Sequence, residues 1–136
     1  MSAEVFVDTN ILVYAHDRDA GAKHEQARTK LKELWGSDDA PWISVQVLQE
    51  FFVNLRRLGV PHTAAREALA DYTQWRVIEN TVALCQRAVA EMERWRLSFW
   101  DALILAAARE AGATTIWSED LSAEQDYGGI RVVNPL

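Results

Sequence analysis

The sequence predicts an α/β fold in three layers: a central, mainly parallel sheet of four to five strands with helices on both faces. Three observations carry this expectation. Short runs of apolar and β-branched residues alternate with longer helical stretches along the chain, and strands separated by helices form parallel sheets covered on both faces. The length, 136 residues, suits one domain with a core of its own. Neither a repeat, nor a low-complexity tract, nor a linker divides residues 1–136, so a single unit is expected.

In chain order, Val5 to Asp8 reads as a buried strand, and a short helix from Asn10 to about His16 follows. A highly charged helix covers about Ala20 to Trp35, with Glu25, Lys30, Lys32 and Glu33 as its solvated face, until Gly36-Ser37-Asp38-Asp39 breaks it. Pro41-Trp42-Ile43-Ser44 is a short strand leading to a helix from about Val45 to Leu58, ended by Gly59-Val60-Pro61. On that helix Leu48, Phe51, Phe52, Leu55 and Leu58 share one side, and Gln46, Glu50, Asn54 and Arg57 fall roughly opposite. Its apolar face (Val45, Leu48, Phe52, Leu55) suits a core or a dimer surface. A helix from about Thr63 to Trp75 and a strand at Arg76-Val77-Ile78 come next. Asn80-Thr81 caps a helix reaching about Arg96, and Ser98 caps another from Phe99 to Ala111 that Gly112 stops. Trp100 to Ala108 is apolar around the whole circumference, so this last helix should be central. Thr114 to Trp117 is a strand, Ser118 to Gly129 a turn region with Glu124 and Asp126 in solvent, and Arg131-Val132-Val133 the final strand.

Composition narrows the function classes. Hydrophobic residues at 49% and charged residues at 25% fit a soluble globular protein, with no apolar run long enough for a membrane span. Met1-Ser2-Ala3-Glu4 lacks the basic start of a secretory signal, so a cytoplasmic setting is the default. One cysteine, Cys85, excludes an internal disulfide framework and reads as a small buried filler, and three scattered histidines (His16, His24, His62) read as surface residues. No Cys/His zinc spacing exists. A net charge of −6 argues against a general nucleic-acid coat protein. Acids gathered in one metal-binding pocket would still allow local nucleic-acid binding. The six tryptophans read as core and packing surface, although Trp100 beside Asp101 would border any site there.

Four acids stand where a strand or an apolar helix meets a polar break: Asp8, Glu50, Asp101 and Asp120. Each has an ordinary explanation. Asp8 suits an N-cap, Glu50 a solvated face, and Asp101 the third position of a capping box begun by Ser98. Asp120 suits a turn, with Glu119 competing for any role. Together they point elsewhere, because carboxylates near a core are costly unless paired, and a hard divalent cation with oxygen ligands is the simplest partner. Asp8 and Asp120 also stand at the carboxyl ends of their strands, where ligands bind in parallel α/β sheets. Thr9, Asn10 and Ser118 are placed to orient these carboxylates or a metal-bound water. Glu50, Asn54 and Arg57, at helical spacing, would line a pocket rim.

Asp8-Thr9-Asn10 after a strand, Gln49-Glu50-Phe51-Phe52, Phe99-Trp100-Asp101-Ala102-Leu103-Ile104 and Ser118-Glu119-Asp120-Leu121 resemble the motifs of PIN-domain nucleases. More narrowly, they resemble VapC-type toxins of toxin–antitoxin pairs. The resemblance runs from Val5 to Val133-Asn134-Pro135. It implies a PIN-like fold and an endoribonuclease dependent on Mg²⁺ or Mn²⁺. Asp8, Asp101 and Asp120 would hold the metal, and Glu50 would ligate through water or deprotonate the attacking water. It further implies an RNA substrate, a small antitoxin protein as inhibitor, and a homodimer, with Arg57 touching RNA phosphate. Three other readings compete: a PIN-fold nuclease of RNA processing without an antitoxin, an acid-rich phosphohydrolase, and a non-catalytic protein-interaction domain. A phosphohydrolase with an aspartyl nucleophile would want an acid where Asn10 stands.

Overall fold

Five short strands pair side by side in the order β3-β2-β1-β4-β5, all parallel. They are β1 (Val5–Val7), β2 (Trp42–Ser44), β3 (Arg76–Ile78), β4 (Thr115–Trp117) and β5 (Arg131–Val133). The register sets Phe6 beside Trp42 on one side and Ile116 on the other. The computed structural model describes residues 4–36, 40–122 and 125–136. The expected break at Ser37-Asp38-Asp39 and the expected solvated Glu124 lie outside the described residues.

Helices cover both faces: α1 (Thr9–His16), α2 (Ala22–Trp35), α3 (Val45–Arg57), α4 (His62–Tyr72), α5 (Val82–Trp95) and α6 (Phe99–Glu110). A strand sandwiched between helices must be apolar on both sides, and Val5, Phe6 and Val7 are all buried. Phe6, Ile43, Ile116 and Val132 form the middle of the core. Ala102 through Ala108 are buried around the full circumference of α6, as its pattern predicts. No helix among the described residues is long and apolar enough to cross a membrane.

Local chemistry moves several boundaries. α1 starts at Thr9 because the Asp8 side chain accepts the Thr9 N–H at 2.7 Å and caps it. The expected start of α2 is instead a 3-10 turn, Arg18–Ala20, and Gly21 at φ 64° leads into the helix. α4 stops at Tyr72, short of Trp75, and Thr73 Oγ1 donates to Ala70 O at 2.6 Å. That stop lets Tyr72 and Trp75 pack edge to face at 5.0 Å, with Phe51 5.1 Å from Tyr72.

Four burial expectations change. Cys85 is exposed, because α5 turns Leu84, Ala88 and Glu91 inward and Cys85 sits about 100° around the helix from that stripe. Trp35 and Trp100 are exposed, whereas Trp75 is buried. His24 is half-buried, its Nδ1 2.9 Å from Tyr14 O, while His16 and His62 lie at the surface. On α3, Phe51 and Leu55 are buried and Leu48 and Phe52 pack against the core, but Leu58 is exposed.

Candidate active site

The carboxyl end of β1 delivers Asp8, and the carboxyl end of β4 delivers Ser118 and then Asp120. β1 and β4 are neighbours in the sheet, so these residues meet although about 110 positions apart in sequence. The Asp8 carboxylate is 5% exposed. Its Oδ1 accepts the Thr9 N–H, and its Oδ2 accepts Ser118 Oγ–H at 2.7 Å and Asn10 Nδ2–H at 3.3 Å. Burial pushes its pKa up to about 6; the Ser118 and Thr9 hydrogen bonds pull it back, and the Asp120 and Glu50 charges raise it further.

Asn10 is the clasp of the site. Its Nδ2 also donates to Asp120 Oδ2 at 3.0 Å and to Ser118 Oγ at 3.5 Å, while its Oδ1 accepts the Glu119 N–H at 3.1 Å. Ser118 Oγ, fully buried, accepts the N–H groups of Asp120 and Leu121. Thr9 Oγ1 donates to Glu50 Oε1 at 2.7 Å and ties α1 to α3. α3 is itself started at this end of the sheet by Ser44, whose Oγ accepts the Val47 N–H at 3.3 Å.

α6 presents Asp101 in its first turn. Ser98 Oγ caps the helix by accepting the Asp101 N–H at 3.2 Å. The Asp101 carboxylate takes no hydrogen bond among the described residues, so the helix start is satisfied without it. Asp101 is thus free to face the cavity, in the favourable field of the helix N-terminus.

A cavity of about 290 Å³ is lined by Asp8, Glu50, Asp101 and Asp120 together, with Thr9, Asn10, Tyr14, Gln46, Asn54 and Trp100 among its other walls. Glu119 does not line it; Lys23 Nζ holds Glu119 Oε1 at 2.6 Å, and Glu119 Oε2 has no hydrogen-bond partner among the described residues. Arg57 is also outside, at a neighbouring hollow that it shares with Glu50 and Asn54. Sequence periodicity places Gln46 on the solvated face, but it is 3% exposed: its Nε2 donates to Trp100 O at 3.2 Å and its Oε1 is unpaired among the described residues. Only the packing of α6 over the start of α3 could reveal that.

The donor set is all oxygen, which suits Mg²⁺ or Mn²⁺ and disfavours soft metals. Among the described residues no three His, Cys, Asp or Glu side chains are gathered tightly enough to hold an ion as they stand. Carboxylates that face one another across a cavity repel, and the Asp120 and Glu50 charges add to the burial that chiefly raises the pKa of Asp8. The residues therefore fit a hard cation by chemistry and by shared cavity, and their carboxylates must draw inward to bind one.

The PIN domain family model matches residues 5–125. No curated protein sequence matches the chain significantly. The fold is similar to the crystal structure of Mycobacterium tuberculosis VapC20, described as a sarcin-ricin loop cleaving toxin. The two are 28% identical, with a TM-score of 0.67 over 86% of this chain and 90% of that one. A toxin–antitoxin complex from Klebsiella pneumoniae aligns at 25% identity and TM-score 0.70, covering 98% of each chain. Rickettsia felis VapBC2, solved bound to a fragment of promoter DNA, shares the fold at 17% identity and TM-score 0.62, over 94% of this chain and 96% of that one. With five parallel strands and six α-helices among the described residues and the family match over most of its length, the chain belongs to the PIN domain family, and its structural neighbours include VapC toxins of VapBC systems.

Proposed function

We propose that this chain is a divalent-metal-dependent endoribonuclease and the toxin of a VapBC-type toxin–antitoxin pair. One observation carries the reading: four acids from four separate segments line a single cavity at the carboxyl ends of β1 and β4. A binding module has no need of so costly a concentration of carboxylates. The similarity to a toxin described as cleaving the sarcin-ricin loop supports RNA as the substrate class. The similarity to a toxin–antitoxin complex over 98% of both chains favours an antitoxin partner over solitary RNA processing.

Asp8, Asp101 and Asp120 would hold Mg²⁺ or Mn²⁺, with Glu50 ligating through water. Such an ion supplies charge neutralisation at the phosphoryl group and activates water. The chain's own residues do the rest. Thr9 occupies Glu50 Oε1, leaving Oε2 to take a proton from the attacking water. Asn10 and Ser118 hold Asp8 and Asp120 in register. Arg57, at the neighbouring hollow it shares with Glu50 and Asn54, would reach RNA phosphate. A small antitoxin laid over the cavity would silence the acids, and a homodimer in the cytoplasm completes the reading.

Asp8→Asn and Asp101→Asn are each expected to reduce Mg²⁺-dependent RNA cleavage to background and to relieve growth arrest, with the circular-dichroism spectrum unchanged. Chelation of the metal should do the same to the native chain. Normal cleavage by both purified variants would refute the assignment.

A further inference from the structure

We propose that the Trp100 indole is a stacking platform for an unpaired base of the RNA substrate, next to the phosphate held at the acids. This rests on the ribonuclease reading and adds a substrate-binding residue to it. Trp100 lines the cavity that holds Asp8, Glu50, Asp101 and Asp120, yet it is 63% exposed. Folding ordinarily gains by burying so large an apolar ring, and here the ring stays out at the mouth of a cavity lined by four acids.

The ring is also held in place. Trp100 lies in the first turn of α6, directly before Asp101. Its carbonyl accepts the Nε2–H of buried Gln46, and Phe99 packs edge to face against the indole at 5.2 Å between centroids. The hydrogen bond fixes the backbone beneath the ring and the Phe99 contact restrains the indole itself, so less side-chain freedom is lost when a ligand arrives. The ring is also tied to the carboxylate beside it, so a base on the ring and a phosphate at Asp101 belong to the same or adjoining nucleotides.

Charge explains why such a platform is needed. At a net −6 the chain gains no general electrostatic attraction for RNA. Affinity must come from local contacts, and stacking on one aromatic ring is worth roughly ten- to hundredfold in affinity per base. Stacking requires a base splayed out of a helix, so the substrate class is single-stranded RNA or an unpaired loop. Gln46 and Asn54, on the walls of the same cavity, are amides of the type that bond base edges or ribose hydroxyls. The walls also carry Val13, Tyr14 and Ile104, but the four carboxylates beside them favour a nucleotide with its cation-bound phosphate over the apolar anchor of a protein partner, whose pocket would be desolvated and greasy.

The test uses the full chain and an RNA oligonucleotide spanning the mapped cleavage position, with each flanking base replaced in turn by an abasic nucleotide. Trp100→Leu should raise KM roughly ten- to hundredfold while kcat moves far less, and Trp100→Phe should recover most of the loss. At one flanking position the abasic substitution should weaken the native chain and leave Trp100→Leu unaffected. The proposal is overturned if Trp100→Leu keeps the native KM, or if no abasic position distinguishes the two proteins; the ring would then serve a protein partner. The abasic scan on the native chain and Trp100→Phe keeps the test decisive should Trp100→Leu fold poorly. A native chain that cleaves RNA while Trp100→Leu matches it sinks the platform alone. A native chain that neither binds nor cleaves RNA sinks the ribonuclease reading and the platform with it.

Discussion

Two buried carboxylates in this protein are treated in opposite ways. Glu91, on α5, is 8% exposed and accepts from Arg109 Nε at 2.5 Å, Arg109 Nη2 at 3.2 Å and Trp95 Nε1 at 2.8 Å. Arg109 in turn donates to the carbonyls of Tyr127 and Gly128, so the pair locks α5, α6 and the loop before β5 together. Asp8 is equally buried, but among the described residues its donors are all neutral: a backbone N–H, a hydroxyl and an amide. Other acids share its cavity. A buried anion answered by a cation of its own chain is part of the scaffold. One answered only by dipoles, with more anions near it, is left short of positive charge and is eased by a proton or a cation.

This contrast makes distinct stability predictions for the two acids. The largest effect is expected at the scaffold pair. Glu91→Ala strands Arg109 and should cost roughly 2–3 kcal/mol in urea denaturation, below the full penalty for a deeply buried pair because Arg109 is partly exposed. A loss under about 0.5 kcal/mol, the value of a surface pair, would break the comparison.

Asp8→Asn should do the reverse in the metal-free protein. Folding raises the Asp8 pKa from 3.8 to about 6, so the folded state prefers the protonated acid. That preference contributes fully below pH about 4 and is lost as the pH rises through about 6. An asparagine never ionises, so the full shift would give about 3 kcal/mol at pH 7; because the amide cannot accept all the hydrogen bonds made to Asp8, the variant should gain roughly 2 kcal/mol, shrinking towards zero below pH about 4. Melting curves across that range read the effect, and a native chain more stable than Asp8→Asn at pH 7 without metal would contradict it.

The smallest effect separates adjacent acids. Glu119 pairs with Lys23 outside the cavity, and Asp120 lines it. Glu119→Gln should leave cleavage and melting within scatter, whereas Asp120→Asn should abolish cleavage. Equal loss in both would show that the turn, rather than one carboxylate, is what matters.

Much of this arrangement is legible in the chain. Asp8 follows an apolar run, Asp101 opens an apolar helix and Asp120 follows a strand, and those local contexts are where parallel α/β proteins bind ligands. Gln46 departs from its local pattern, while Trp100 borders the cavity, as its place beside Asp101 suggests. Helical periodicity sets Gln46 beside Glu50 and Asn54, but α6 covers the start of α3, burying Gln46 and leaving Trp100 at the cavity mouth. Cys85 fails similarly, since an isolated small residue on α5 carries too weak a pattern to tell the inward stripe from the next position around.

The amino-acid sequence by itself determined the alternation of strands and helices, the caps at Asp8, Thr81 and Ser98, and the four places where an acid meets the end of an element. These follow from short-range patterns of polarity and hydrogen bonding that each segment carries alone. Only the tertiary structure decided that the four acids share a cavity, that Asn10 clasps Asp8 to Asp120, and that Glu119 turns away to Lys23. Those outcomes depend on which strands become neighbours and which helix covers which face, and long-range packing sets both.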